Sequence, residues 1–413
     1  MAMRRRIFLL TLAGLPLAGC GVAVSAGAVP SAGASGVPLA QAGAAPLHAP
    51  ATATRAPAQP RDTQPSAAPT AFPSLVAGRP YVYVVDYANT IRVVDPQMAR
   101  MVGALPVGWG ALPVFSPDGS RLCVAHHPGR TGGQDARLDV LDVAGGRRLA
   151  GVGDLDLMSY KIWGPPILAP SRDGRLVYLH GRRVLNKPGE LGRDTCWIAS
   201  FDVAANRLQA ATIPLPACGL APLLLAADGR TLYAGASLVD LTAQPPQVRA
   251  NAGLDQRAVA QSVDGRRLYA LAGDGSIAVW DADARRVLHT WPAVVPAFSS
   301  ALYLTQQTVQ VSHAGTQVYV ATDDGDQQQQ IFRALLTLDA ANGKRLGALR
   351  PARPFRTFAV SPDNAMVSLI TPAHPAGSSG DTLDIWDLPT GTQHASVTGI
   401  GASSGPVLAP PPA

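Results

Sequence analysis

A four-residue turn recurs along this chain: Ser116-Pro117-Asp118-Gly119, Ser171-Arg172-Asp173-Gly174, Ala226-Ala227-Asp228-Gly229, Ser262-Val263-Asp264-Gly265, Ser312-His313-Ala314-Gly315 and Ser361-Pro362-Asp363-Asn364. Each is followed within a few residues by an apolar run such as RLCVAHH, RLVYLHG or TQVYVAT. A second signature is a strand-like run ending in aspartate, at Asp95, Asp142, Asp202, Asp240, Asp281, Asp339 and Asp387. After it come a short polar turn and another strand, as in RRLAGVG or KRLGALR. Asp and Asn side chains hydrogen-bond the backbone two residues on and Gly supplies positive φ, so both signatures read as tight turns between short strands.

Repeats of roughly 36 to 57 residues with four strands each define an all-β, seven-bladed β-propeller of four-stranded antiparallel blades. A lone four-stranded sheet leaves both faces uncovered, and radial packing of blades covers them. The abundance of Gly (41) and Pro (37) fits many turns and few helices. The spacing places blades at about 110–156, 164–218, 219–255, 256–296, 297–353 and 354–400, with a further unit at 80–109. That unit has outer strands without an inner one. Ser404-Gly405-Pro406-Val407-Leu408-Ala409-Pro410 reads like Gly164-Pro165-Pro166-Ile167-Leu168-Ala169-Pro170, an inner strand before a turn, and is expected to complete it and close the ring.

The first 19 residues read as an export leader: basic Arg4, Arg5 and Arg6, an apolar stretch from Ile7 to Leu17 too short to span a bilayer, then small residues before Cys20. Leu17-Ala18-Gly19-Cys20 resembles the lipobox of bacterial lipoproteins, which implies cleavage before Cys20 and lipid on its thiol. The partner so implied is a membrane, held from the outer side of the cytoplasmic membrane, the periplasm or the cell surface. Arg5-Arg6-Ile7-Phe8-Leu9 also resembles a twin-arginine export motif. Residues 20–73 are rich in Ala, Pro, Gly and Ser and bury too little apolar surface to offset ordering entropy. They read as a tether with a mean span on the order of 40 Å, leaving 74–413 as the propeller. The formal charge of +6 lies largely in leader and tether, and the propeller shows no Lys/Arg stripe that would track phosphates, so nucleic acid is excluded as a partner.

Asn89-Thr90, Val93-Val94-Asp95 and Pro106-Val107-Gly108 resemble the repeat of YVTN-type propellers, and the SPDG turns with IWD and VWD endings are shared with WD40-like propellers. The resemblance implies the fold over roughly 80–409, but such propellers serve as binding modules, scaffolds and enzymes alike. Some YVTN-like propellers resemble lactonases and quinoprotein dehydrogenase heavy chains, so an enzyme or enzyme subunit is the alternative reading. A lactonase needs His, Glu and Arg converging at the central channel, and no such cluster is legible.

Cys196 and Cys218 fall at the same end of a hairpin in the third blade, and a bridge between them would close a loop of roughly 20 residues, contributing about 3 kcal/mol. Cys123 reads as a buried thiol. The seven aspartates are spread around the ring, which points to turn-capping. Gly401-Ala402-Ser403-Ser404-Gly405 matches G-x-S-x-G without the strand-to-helix elbow that motif requires. No Walker A, CxxC, HExxH or dinucleotide fingerprint occurs, and no cofactor or metal is expected.

Long connections between the second and third strands of four blades, HHPGRTGGQDAR, HGRRVLNKPGELGRD, TDDGDQQQQIFR and TPAHPAGSSGD, gather insertions on one face, where rigid scaffolds carry binding surfaces. The candidate residues there are His126, His127, Arg130, Arg137, His180, Arg182, Arg183, Lys187 and Arg193 on one sector, with Asp323, Asp324, Asp326 and His374 elsewhere. The basic sector would attract an acidic partner or an anionic sugar. The expected function is therefore a non-enzymatic binding or scaffold module for a protein or glycan.

Overall fold

The computed structural model describes residues 75, 79–86, 90–127, 136–155, 167–183, 195–209, 211–216, 222–235, 237–250, 258–297, 308–322, 331–372, 380–400 and 403–408. They belong to the unit Pro65–Ala413.

Blade 1 takes β1 (Val82–Asp86), β2 (Thr90–Asp95) and β3 (Arg100–Pro106). Blade 2 holds β4 (Trp109–Phe115), β5 (Arg121–His127), β6 (Ala136–Asp142) and β7 (Arg148–Leu155). Blade 3 holds β8 (Leu168–Pro170), β9 (Leu176–Arg183), β10 (Thr195–Asp202), β11 (Arg207–Leu208) and β12 (Ile213–Leu215). Blade 4 is β13 (Leu223–Leu225), β14 (Thr231–Ala234), β15 (Ser237–Asp240) and β16 (Gln247–Ala250). Blade 5 is β17 (Ala258–Gln261), β18 (Arg267–Leu271), β19 (Ile277–Asp281) and β20 (Arg286–Trp291). Blade 6 is β21 (Val309–Val311), β22 (Gln317–Thr322), β23 (Ala334–Asp339) and β24 (Arg345–Leu349). Blade 7 is β25 (Thr357–Val360), β26 (Met366–Thr371), β27 (Thr382–Asp387) and β28 (Thr392–Val397), and β29 (Ser403–Leu408) follows.

Within each sheet the order follows the chain, so the strands can be named a to d in sequence, and blade 1 takes its strand a from the far end as β29-β1-β2-β3. The register Val82↔Leu408, Tyr83↔Val407, Val84↔Pro406 and Val85↔Gly405 joins the two ends of the propeller in one ladder. Pro406 has no N–H to donate, which an innermost edge strand tolerates.

The turns form for local reasons. In the a–b turns, Ser116 Oγ donates to Asp118 Oδ1 at 2.6 Å and accepts the Arg121 N–H at 2.9 Å. The same pair recurs at Ser171, Ser262 and Ser361. Ala226 has no hydroxyl, and there Asp228 takes the Arg230 and Thr231 N–H groups itself. In the c–d turns all seven strand-ending aspartates accept a backbone N–H two or three residues on, at 2.7–3.0 Å. In blades 1, 2, 5, 6 and 7 the c–d ladder slips by a bulge just before that aspartate. This is the arrangement of a hairpin whose last turn residue is left-handed, as at Ala99 (φ 50°), Arg285 (φ 57°) and Gly391 (φ 67°). Blade 3 departs from the expected single outer strand. Between Phe201↔Leu208 and Ile198↔Ile213 the outer chain has more residues than β10, and the surplus is looped out between β11 and β12.

Among the described residues, seven buried apolar clusters hold the blades together, one at each interface between neighbouring blades. The last sets Val82, Val84 and Val94 of blade 1 against Ile370, Leu383, Ile385 and Val397 of blade 7. Burial of each such side chain contributes about 1.5–3 kcal/mol, so ring closure rests on this cluster as well as on the β1–β29 ladder.

Candidate functional face

The b–c connections differ widely in length. Residues 128–135, 184–194, 323–333 and 372–381 separate strands b and c in blades 2, 3, 6 and 7, against 87–89, 235–236 and 272–276 in blades 1, 4 and 5. The long ones therefore stand in two pairs flanking blade 1. Beneath them, at the same end of the strands, lie buried ionisable side chains: Asp86, His126, His127, His180, Asp381 and Asp384.

His126, near the end of β5, is 8% exposed and is held from both sides. Its Nδ1 accepts the Gly108 N–H at 3.0 Å, so the ring proton sits on Nε2, which donates to Asp139 Oδ2 at 2.8 Å. Arg148 pairs with the other oxygen of Asp139 at 2.7 Å. Burial opposes ionisation of Asp139, yet the His126 hydrogen bond and the nearby Arg148 and Arg137 guanidinium groups outweigh it and hold the carboxyl below its ordinary 3.8. Gly108 fits because a Cβ there would lie 2.0 Å from the His127 carbonyl oxygen and 2.3 Å from His126 Nδ1. This close approach is the physical reason for glycine at the end of Pro106-Val107-Gly108.

Blade 7 carries a second network. Asp384 Oδ2 accepts from Arg353 at 2.9 Å and from Thr371 Oγ1 at 2.8 Å, and Oδ1 accepts from Ser396 Oγ at 2.6 Å. Arg356 pairs with Asp381 at 3.2 Å. In blade 1, Asp86 accepts from Arg92 at 2.6 Å and from the Thr90 N–H at 3.0 Å. Asp139 and Asp384 occupy the same position in strand c, three residues before the turn aspartate, in LDVLD and LDIWD. Among the seven c strands only these two place a carboxyl there. That was the available signal for both residues, since the position faces the neighbouring blade.

His126, His127 and His180 were expected to project from the binding face. They are instead buried at 8%, 5% and 4% exposure, because they lie within strands β5 and β9 and not in the connections that follow them. Arg137 lies on β6, opposite His126 in the ladder, and Arg182 and Arg183 end β9. Arg130, Lys187, Arg193, Asp323, Asp324, Asp326 and His374 lie outside the described residues, as do Cys20, the leader and the tether. Cys196 is disulfide-bonded, Cys123 is a buried free thiol, and Cys218 lies outside the described residues. Among the described residues no group of three or more His, Cys, Asp or Glu side chains is placed to hold a metal ion.

The strand order defines the class: a seven-bladed β-propeller closed by its C-terminal strand. No protein-family description and no curated protein matches the sequence. Among solved structures the chain is similar to dihydro-heme d1 dehydrogenase NirN in complex with DHE, at 15% identity over 85% of this chain and 82% of that one, with a TM-score of 0.48. It is also similar to the Cps50 (Swd1) β-propeller domain of Myceliophteria thermophila, at 13% identity over 71% of this chain and 87% of that one, with a TM-score of 0.47. Likeness at this level concerns the fold alone.

Proposed function

We propose that this protein is an exported propeller, anchored to a membrane by lipid on Cys20, whose b–c face binds a protein or glycan partner. The observation that carries the reading is the placement of the chain's entry relative to its insertions. The chain enters blade 1 at Val82, the a–b end of strand b. Just before it, Arg79 pairs at 3.1 Å with Asp95, which caps the c–d turn on the same side. The described chain thus enters the propeller on the side opposite the long b–c connections. The buried Asp86, His126, Asp381 and Asp384 networks stiffen the strand ends from which those connections spring, as a rigid scaffold under a variable surface requires.

Two experiments test it. Cys20→Ser should move the protein from the membrane to the soluble exported fraction, and continued sedimentation with membranes would remove the anchor from the proposal. Replacing 128–135 and 184–194 with the short connection of blade 5 should abolish capture of partners from detergent-solubilised envelope and of anionic glycans on an array. Undiminished capture by a variant that melts normally would overturn the binding-face reading.

A further inference from the structure

We propose that the end of the propeller carrying the a–b and c–d turns is a docking face for an anionic lipid bilayer, independent of the lipid proposed on Cys20. Among the described residues six large apolar side chains are exposed: Met98, Leu149, Val263, Val287, Leu288 and Leu346. All six stand at this end, in or beside an a–b or c–d turn, and none stands at the b–c end. In three c–d hairpins the cause is the bulge. Leu149 is skipped between the pairs Leu141↔Arg148 and Val140↔Ala150, Leu288 between Trp280↔Val287 and Val279↔His289, and Leu346 between Leu338↔Arg345 and Thr337↔Gly347. A bulge leaves its extra residue unpaired and re-aims it, and each time that residue is a leucine.

Charge names the partner. Each leucine follows two cations, in Arg147-Arg148-Leu149, Arg285-Arg286-Val287-Leu288 and Lys344-Arg345-Leu346. Six cations thus stand against four carboxylates in these hairpins, and three of the four, Asp142, Asp281 and Asp339, accept N–H groups of their own turns. Apolar tips beside Arg and Lys fit a lipid surface, where the tips enter the headgroup boundary and the cations meet lipid phosphates. The spread of the tips selects a plane. A Cβ on Gly343 would lie 2.4 Å from the Trp291 ring at the end of β20, so the outer hairpins of blades 5 and 6 are neighbours. Met98 and Leu149 belong to blades 1 and 2, on the other side of the ring. A flat bilayer laid on this end meets both groups at once. The described chain also enters blade 1 here, at Val82. Charge contacts of this kind are screened beyond about 10 Å at 0.1 M salt, so the face orients the propeller on the bilayer and does not replace a covalent anchor.

Vesicle sedimentation of the full chain carrying Cys20→Ser tests the face apart from the anchor, since no lipid can then be attached. This chain should bind vesicles of phosphatidylglycerol mixed with phosphatidylcholine at low salt and leave them in about 0.5 M salt. Adding Arg286→Glu and Arg345→Glu should weaken that binding about tenfold and remove the preference over pure phosphatidylcholine. Adding Leu288→Ser and Leu346→Ser instead should weaken binding while the preference for anionic vesicles stays. Arg249→Glu with Arg350→Glu makes the same charge change at exposed positions toward the b–c end of the outer strands and should leave binding unchanged. Residues 1–73 are common to all these chains, so any lipid affinity of theirs appears equally in each. All substituted side chains are exposed, and matched melting curves show that the variants fold. Failure of the Cys20→Ser chain to bind anionic vesicles would overturn the lipid face. So would unchanged binding by both the Arg286/Arg345 and the Leu288/Leu346 variants, or an equal loss in the Arg249/Arg350 control.

Discussion

Gly108 and Asp139 show how single residues fix the b–c end of blade 2. Gly108→Ala places a methyl against the His127 carbonyl oxygen and separates the Gly108 N–H from buried His126 Nδ1. It should cost at least about 2 kcal/mol, read from the urea midpoint. Asp139 contributes in a pH-dependent way. Its folded pKa is depressed, so its stabilisation is present above the unfolded value and lost as pH falls through the folded one. The stability gap between the parent and Asp139→Asn should accordingly be full at about pH 6 and shrink by about pH 2.5. A gap that stays constant over that range would show that His126 and Arg148 do not favour the ionised carboxyl. The turn-ending aspartates were legible in the sequence because their partners lie two or three residues away. The roles of Asp139 and Asp384 were not, because their partners come from other strands and, for Arg353, from the connection between blades 6 and 7.

At the level of elements, strands and turns were readable because period-two apolar runs and Asp/Gly turns are local signals. The split outer strand of blade 3 was not, since nothing in RLQAATIPL marks where the surplus is looped out. The connection from blade 6 to blade 7 also does more than link them. Arg353 and Arg356 reach from it to Asp384 and Asp381 at the head of β27, and Phe332 bridges Phe355 across it. Asp384→Ala would leave Thr371 Oγ1 and Ser396 Oγ without their acceptor and Arg353 without its partner. It should cost about 3 kcal/mol in thermal or urea unfolding. Asp384→Asn, which keeps an acceptor for the hydroxyls, should cost less, and equal losses would argue against the network.

For the whole molecule, seven repeats predict a ring, and an unpaired inner strand at one end with a three-stranded unit at the other predicts how it shuts. The ladder and the blade 7–blade 1 cluster realise that scheme. Deleting residues 403–413 should lower the melting temperature of the entire propeller in one transition, because opening one interface exposes both blades flanking it. Loss confined to a minor early transition would mean that blade 1 is an appendage.

The claim that the two faces of the ring have different tasks is tested most directly by blocking one at a time. A bulky polyethylene glycol maleimide is attached at Ser378→Cys, in the b–c connection of blade 7, or at Asp283→Cys, exposed in the c–d turn of blade 5. Capture of envelope protein or anionic glycan should be lost with the first adduct and unchanged with the second. Loss with the Asp283→Cys adduct and retention with the Ser378→Cys adduct would contradict the assignment of the b–c face.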